Sequence, residues 1–185
     1  MDARIRYTKE AIRNAFIELL RDKPLSKITV TAICELAEIN RATFYKYYND
    51  PFDLMSQIEA EMTLKLNHIV DKAEPFEQGQ LLDILTTVLL DMQKNYDVYS
   101  VLFSEHGNKQ FTKQVFLTCY QSQLTALENN FLSLSSDQKE LFFYFIVQGI
   151  GGTIERWVNS GMRESPEKVA EFICQMNTVL LNEFW

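Results

Sequence analysis

The chain has 185 residues, 46% of them hydrophobic and 23% charged, which is enough to bury a substantial core and too apolar for a disordered segment. Six glycines and four prolines are too few for a turn-rich β fold and favour helices. The net charge of −7 is unevenly spread: residues 1–50 hold nine Lys/Arg against seven Asp/Glu, and residues 51–185 hold nine against eighteen, so a mildly basic head precedes an acidic body, a pattern that hints at nucleic-acid binding.

Along residues 8–21, Ala11, Ile12, Ala15, Phe16, Leu19 and Leu20 recur at helical spacing and predict an amphipathic helix capped by Thr8 and ended before Lys23-Pro24. Thr29 caps a second short helix over 30–37, with Val30, Ile33, Leu36 and Ala37 on one face. After the short link Glu38-Ile39, Asn40 caps a third helix over 41–48, RATFYKYY. Asp50-Pro51-Phe52-Asp53 reads as the start of a fourth helix reaching about Lys72, with Asp50 as cap and Pro51 in the first helical position.

Amphipathic stretches follow over 80–95 and 109–132, the second with Leu117, Tyr120, Leu124, Leu127 and Phe131 in register, and between them 96–104 reads as a short aromatic helix. His106-Gly107-Asn108 and Ser133–Ser136 are breaks. Residues 137–159 form a helix that is apolar almost all round at LFFYFIV, Gly161 stops it, and Ser165-Pro166 opens the final helix. Strand-like alternation is nowhere convincing. The reading is all-α, with about nine helices divided into a head, 1–50, and a body, 51–185.

Three short helices, the last two joined tightly, make a helix-turn-helix. The third has the composition of a groove reader. Arg41 can donate twice to guanine, Ala42 lets the backbone approach a base edge, and Thr43, Tyr45 and Tyr47 carry hydroxyls for phosphates or bases. Lys46 adds charge, while Phe44 is expected to point inward onto Ile33, Leu36 and the first helix. Thr29, Thr31 and Asn40 sit at helix N-termini, where phosphates bind.

The segment Thr29-Val30-Thr31-Ala32-Ile33-Cys34-Glu35-Leu36-Ala37, continued by Thr43-Phe44-Tyr45-Lys46-Tyr47-Tyr48, resembles the signature of the TetR (tetracycline-repressor-like) family over about residues 8–55. Gly149-Ile150-Gly151-Gly152, Trp157, Gly161 and Ser165-Pro166-Glu167 look like a C-terminal domain common among low-GC Gram-positive members. The resemblance implies a homodimer that represses transcription and is released from operator DNA by a small molecule. Two positions depart from the pattern: Glu38 stands where the family usually has Gly, and Pro51 where it often has a phosphate-binding Lys. These departures leave open a partner protein that keeps the dimer domain without tight operator binding.

A helix apolar on all sides must be covered on all sides, so the last two helices are the expected dimer interface, with Gly149 and Gly152 permitting close approach. The expected effector pocket lies among the middle helices, with Met92, Tyr96, Tyr99, Phe103, Phe116, Tyr120, Phe143 and Trp157 as candidates. Cys34, Cys119 and Cys174 form no metal-ligand spacing, and with only His68 and His106 the sequence offers no catalytic set, so neither cofactor nor enzymatic activity is expected. The odd cysteine count, the charged segment MDARIRYTKEAIRNA and a longest apolar run of only Leu141 to Val147 are those expected of a cytoplasmic protein with no membrane partner.

Overall fold

The computed structural model describes residues 3–71, 80–107, 111 and 135–182. These residues form eight α-helices and one 3-10 turn, with no strand among them. Helix α1 spans Ala3–Asp22, α2 Val30–Leu36, α3 Arg41–Tyr45 and α4 Pro51–Asp71, with the 3-10 turn at Leu25–Lys27. In the body, α5 spans Gln80–Lys94, α6 Tyr96–Leu102, α7 Ser136–Asn159 and α8 Pro166–Asn182. The all-α reading therefore holds. Of the stretch expected to be helical over 109–132, only Phe111 is described.

The helix starts follow from local chemistry. Thr29 accepts from the Ala32 amide at 3.2 Å, Asn40 from the Thr43 amide at 2.8 Å, and Asp50 from the Asp53 amide at 2.8 Å. Each satisfies a backbone donor that the first helical turn leaves orphaned. Ser135 and Gln138 form a reciprocal capping box at α7. The Thr8 cap does not form. Helix α1 begins five residues earlier, and the Thr8 hydroxyl donates instead to the Arg4 carbonyl, one turn back, at 2.9 Å.

Two helices end in the same motif with different residues. At α7, Gly161 takes φ +83°, the Met162 amide reaches the Trp157 carbonyl at 2.9 Å, and the Gly161 amide reaches Val158 at 3.0 Å. At α2, Glu38 takes φ 54°, the Ile39 amide reaches Cys34 at 3.0 Å, and the Glu38 amide reaches Glu35 at 3.3 Å. Glutamate thus takes the left-handed position at the α2 end, and glycine takes it at the α7 end, where Met162 after it is left-handed as well, at φ 51°. A side chain there is strained by contact of Cβ with the backbone.

Helix α1 packs on α2 and α6, α2 on α3, α4 on α5, α5 on α6 and α8, α6 on α7, and α7 on α8. One buried cluster runs through all of them, from Ile12, Phe16 and Leu20 in α1, through Leu54, Ile58 and Met62 in α4, to Trp157 and Ala170 in α7 and α8. Helix α4 thus contributes to the same apolar core as the helices before and after it. Two ion pairs reinforce that packing: Arg13 with Glu61 of α4 at 2.6 Å, and Arg21 with Asp97 of α6. No helix among the described residues is long and apolar enough to cross a membrane.

Candidate nucleic-acid interface

Helix α3 has one turn of regular structure, and the chain continues through Lys46, Tyr47 and Tyr48 as a turn, so the helix is shorter than the 41–48 span expected. The Tyr47 and Tyr48 amides both return to the Phe44 carbonyl at 3.0 Å, which ends the helix while keeping the chain tightly wound. Phe44 is completely buried, and its ring lies edge-on to Tyr45 and tilted against Tyr48, each 5.7 Å away. This anchor turns the opposite side of α3 to solvent, where Arg41, Ala42, Tyr45 and Lys46 are all exposed.

Leu36 does not join the anchor and is 43% exposed. The buried face of α2 is centred between Ile33 and Cys34, and Leu36 lies about 110° around the helix from that centre. Ile33 and Cys34 are the residues of α2 that close the core. Burial pushes the Cys34 thiol above its ordinary pKa, opposed by the nearby Arg41 charge, so the thiol stays protonated near neutral pH and is a weak nucleophile. Cys119 lies outside the described residues.

Thr29, Thr31, Asn40, Arg41, Ala42, Tyr45 and Lys46 are exposed together on α2, α3 and the turns beside them, and Thr43 and Tyr47 are half-buried at the edge of the same surface. Several hydroxyls already have partners. The Thr43 hydroxyl donates to Asn40 Oδ1 at 3.0 Å, so Asn40 Oδ1 accepts from both the amide and the hydroxyl of Thr43. Arg41 Nη2 donates to Thr31 Oγ1 at 2.6 Å and ties the start of α3 to the start of α2.

Lys9 of α1 belongs to this surface although its role was not assigned from sequence. Its ammonium lies 5.6 Å from the Tyr47 ring centroid and 5.9 Å from that of Tyr48, and Lys46 approaches the Tyr47 ring at 5.7 Å. Two cations, one from α1 and one from the turn after α3, therefore share one aromatic ring. The available signal was the basic run Arg4, Arg6, Lys9 and Arg13, but its spatial partner lay nearly forty residues on.

The start of α4 borders the same surface. Asp53 accepts from the Asn49 amide at 2.8 Å and from the Asn49 and Gln57 side chains, and these bonds, the Asn49 amide foremost, hold its carboxyl below the usual range. Pro51 occupies the first helical position, where a missing amide costs no intrahelical bond, and Phe52 beside it is 58% exposed.

The expected effector residues are placed differently. Met92, Tyr99, Phe103 and Trp157 are buried, Phe143 is half-buried, and Tyr96 is 40% exposed. Phe116 and Tyr120 lie outside the described residues. The Tyr99 hydroxyl donates to Asp91 at 3.3 Å, and Trp157 Nε1 donates to the Glu164 carbonyl at 2.9 Å, so both polar tips are satisfied inside the body. No cluster of three or more His, Cys, Asp or Glu able to hold a metal occurs among the described residues.

A helix-turn-helix head on an all-helical body defines a class of transcriptional regulators. Residues 79–178 match the TetR family's transcriptional regulator C-terminal region, and the chain belongs to the TetR family. Over 180 residues it is 26% identical to the uncharacterized HTH-type transcriptional regulator YxbF of Bacillus subtilis (strain 168), covering 94% of this chain and 45% of that one, so it spans a little under half the length of that relative. The fold is also similar to that of the dihydroxyacetone kinase operon activator DhaS, with a TM-score of 0.67 and 20% identity over 96% of this chain and 97% of the other. A TetR transcriptional regulator from Streptococcus agalactiae 2603V gives 0.66 and 22%, over 95% and 96%.

Proposed function

We propose that the chain is a cytoplasmic, homodimeric DNA-binding repressor, in which residues 1–50 read an operator and residues 51–185 dimerise and take up a small-molecule effector that releases the DNA. The observation that carries the DNA-binding reading is the division of α3. Phe44 is sealed in the head while Arg41, Ala42, Tyr45 and Lys46 are exposed, as a helix entering a major groove requires. Selection from a random duplex pool should return a near-palindrome with half-sites about one helical turn apart or slightly more. Arg41→Ala should lose about 1–3 kcal/mol on that duplex and relax one base preference per half-site. An equal loss on random duplex would mean that Arg41 touches only phosphate.

Dimerisation is supported by α7 and α8. Leu141 and Phe145 in α7 and Phe172, Met176 and Val179 in α8 are 44–71% exposed at helical spacings of three and four. All of them but Leu141 line a groove of about 320 Å³. Among the described residues, Cβ atoms added at Gly149 or Gly152 would meet nothing within 4 Å, which leaves that face of α7 open to a second backbone. Light scattering of the purified protein should give twice 21.6 kDa.

For the effector, Met92, Tyr99, Phe103 and Trp157, with Tyr96, Phe116, Tyr120 and Phe143, are the residues we assign to its site. An effector acts only through its different affinity for the two spacings of the heads, and α4 transmits that difference. A coupling of about 1–3 kcal/mol weakens operator binding about 5–150-fold, and operator must weaken effector binding by the same factor. The second reading, a partner protein without tight operator binding, draws on Pro51. Glu38 supports it less, because the α2 end closes with glutamate in the left-handed position. Failure to select any duplex would favour that reading.

A further inference from the structure

Arg41 opens α3 and Thr31 is the second residue of α2, and the Arg41 Nη2 to Thr31 Oγ1 bond of 2.6 Å spans the two helices. Both side chains belong to exposed residues, so water competes for each partner and the bond adds little to folding stability. Its consequence lies in the conformation it selects. An arginine on a helix surface samples many rotamers, and a bond to a fixed helix narrows them before any ligand arrives.

The chemistry of the partner matters as well. The first turns of α2 and α3 contain no acidic residue, and among the described residues Arg41 forms no ion pair. A carboxylate would offset the guanidinium charge and compete for its donor fork. A neutral hydroxyl holds one terminal nitrogen and leaves the charge and the remaining donors available. The two neighbouring threonine hydroxyls are engaged elsewhere: Thr29 accepts from the Ala32 amide, and Thr43 donates to Asn40. Asn40 also sets where α3 begins, and so fixes the base of the Arg41 side chain.

We infer that Thr31 is a positioning residue for Arg41: the hydroxyl holds the guanidinium in the orientation that reads a guanine edge, so that a residue of α2 sets base specificity through a residue of α3. This rests on the DNA-binding reading above, and it gives Thr31 a role beyond a phosphate contact.

The test uses the preferred duplex that the wild-type protein selects from a random pool, a random duplex, and the variants Thr31→Val, Thr31→Ser and Arg41→Ala. Valine keeps the shape of threonine and removes the acceptor. Thr31→Val should bind the preferred duplex about 5–10-fold more weakly, the size of one lost hydrogen bond, and the random duplex within about twofold of wild type. It should add nothing to Arg41→Ala, and Thr31→Ser should restore wild-type binding. Equal losses on both duplexes, or additivity with Arg41→Ala, would make Thr31 an independent phosphate contact and overturn the inference.

A DNA-free measurement separates this failure from failure of the functional reading. In the unbound protein, the ¹⁵N-¹H signals of the Arg41 terminal nitrogens should show restricted rotation in wild type and Thr31→Ser, and free rotation in Thr31→Val. Identical signals in all three would overturn the positioning role and leave DNA binding intact. A wild-type protein that selects no duplex would overturn the DNA-binding reading, and this inference with it.

Discussion

In the head, Phe44 is fully buried and Tyr48 nearly so, whereas in α7 Phe145 is 61% and Tyr144 56% exposed. Both segments are rich in aromatic residues, but they have different neighbours. The head crosses α1, α2 and α3 around a small core, and its last turn folds Tyr48 back beside α4. Helix α7 buries Ile146, Val147, Ile154, Trp157 and Val158 against its own domain and carries apolar side chains on its other side as well. The lesson is that an aromatic-rich stretch says little until its surroundings are known: one such stretch closes a core, and the other leaves its apolar side chains exposed.

The largest expected effect tests the closed side of this contrast. Phe44→Ala should destabilise the protein by about 3–5 kcal/mol, because it removes a fully buried ring from a core with few ways to collapse. Denaturant unfolding followed by circular dichroism measures it. A loss below 1 kcal/mol would show that the head is not closed around this residue.

The open side is tested next. Phe145→Glu places a charge on the exposed stripe of α7 and should weaken association by about 2–4 kcal/mol, with a monomer appearing in light scattering. The head should unfold as before, since Phe145 contributes nothing to its core. A variant that remains a dimer would move the interface away from α7.

A finer comparison sets the α2 end against the α7 end. Glu38→Gly should raise stability by about 0.5–1 kcal/mol, since relief of left-handed strain exceeds the added chain entropy, while Gly161→Glu should lower it by about 1–2 kcal/mol. Thermal unfolding of the two single variants gives both signs. Opposite signs would show that the two ends share one constraint, and equal signs would break the parallel.

The smallest expected effect is the pH response of the α4 start. The Asp53 carboxyl is held below its usual range chiefly by the Asn49 amide, so its contribution is complete above the unfolded carboxylate range and is lost as pH falls through the folded value. Asp53→Asn should flatten the acid side of the stability curve and leave the neutral side parallel to wild type. A profile unchanged by the substitution would remove Asp53 from the cap.

Residues whose partners are near in sequence were legible. Thr29, Asn40 and Asp50 cap where their side-chain chemistry places them, and Ser165-Pro166 opens α8 as expected. Thr8 misled because its hydroxyl can satisfy itself on a carbonyl one turn back as readily as on a helix-start amide. Leu36 misled because its hydrophobicity was counted without its angle around a short helix. In the candidate interface, the exposed face of α3 followed from one residue, Phe44, needing to be inside. The Lys9 approach to Tyr47 and the Arg41 bond to Thr31 were not legible, because each joins residues from different helices.

By itself, then, the sequence determined the helical fold class, the caps and stops, the polar and apolar sides of α3, and the resemblance that places the chain in its family. Spacing and local hydrogen bonding act over three or four residues, and a sequence displays them directly. The tertiary structure decided that Glu38 takes a left-handed conformation, that Arg13 and Arg21 tie the head to α4 and α6, that Thr31 holds Arg41, and that the apolar stripe of α7 finds no cover among the described residues of its own chain. These depend on which helix faces cross in space, and that is set by packing of the whole core.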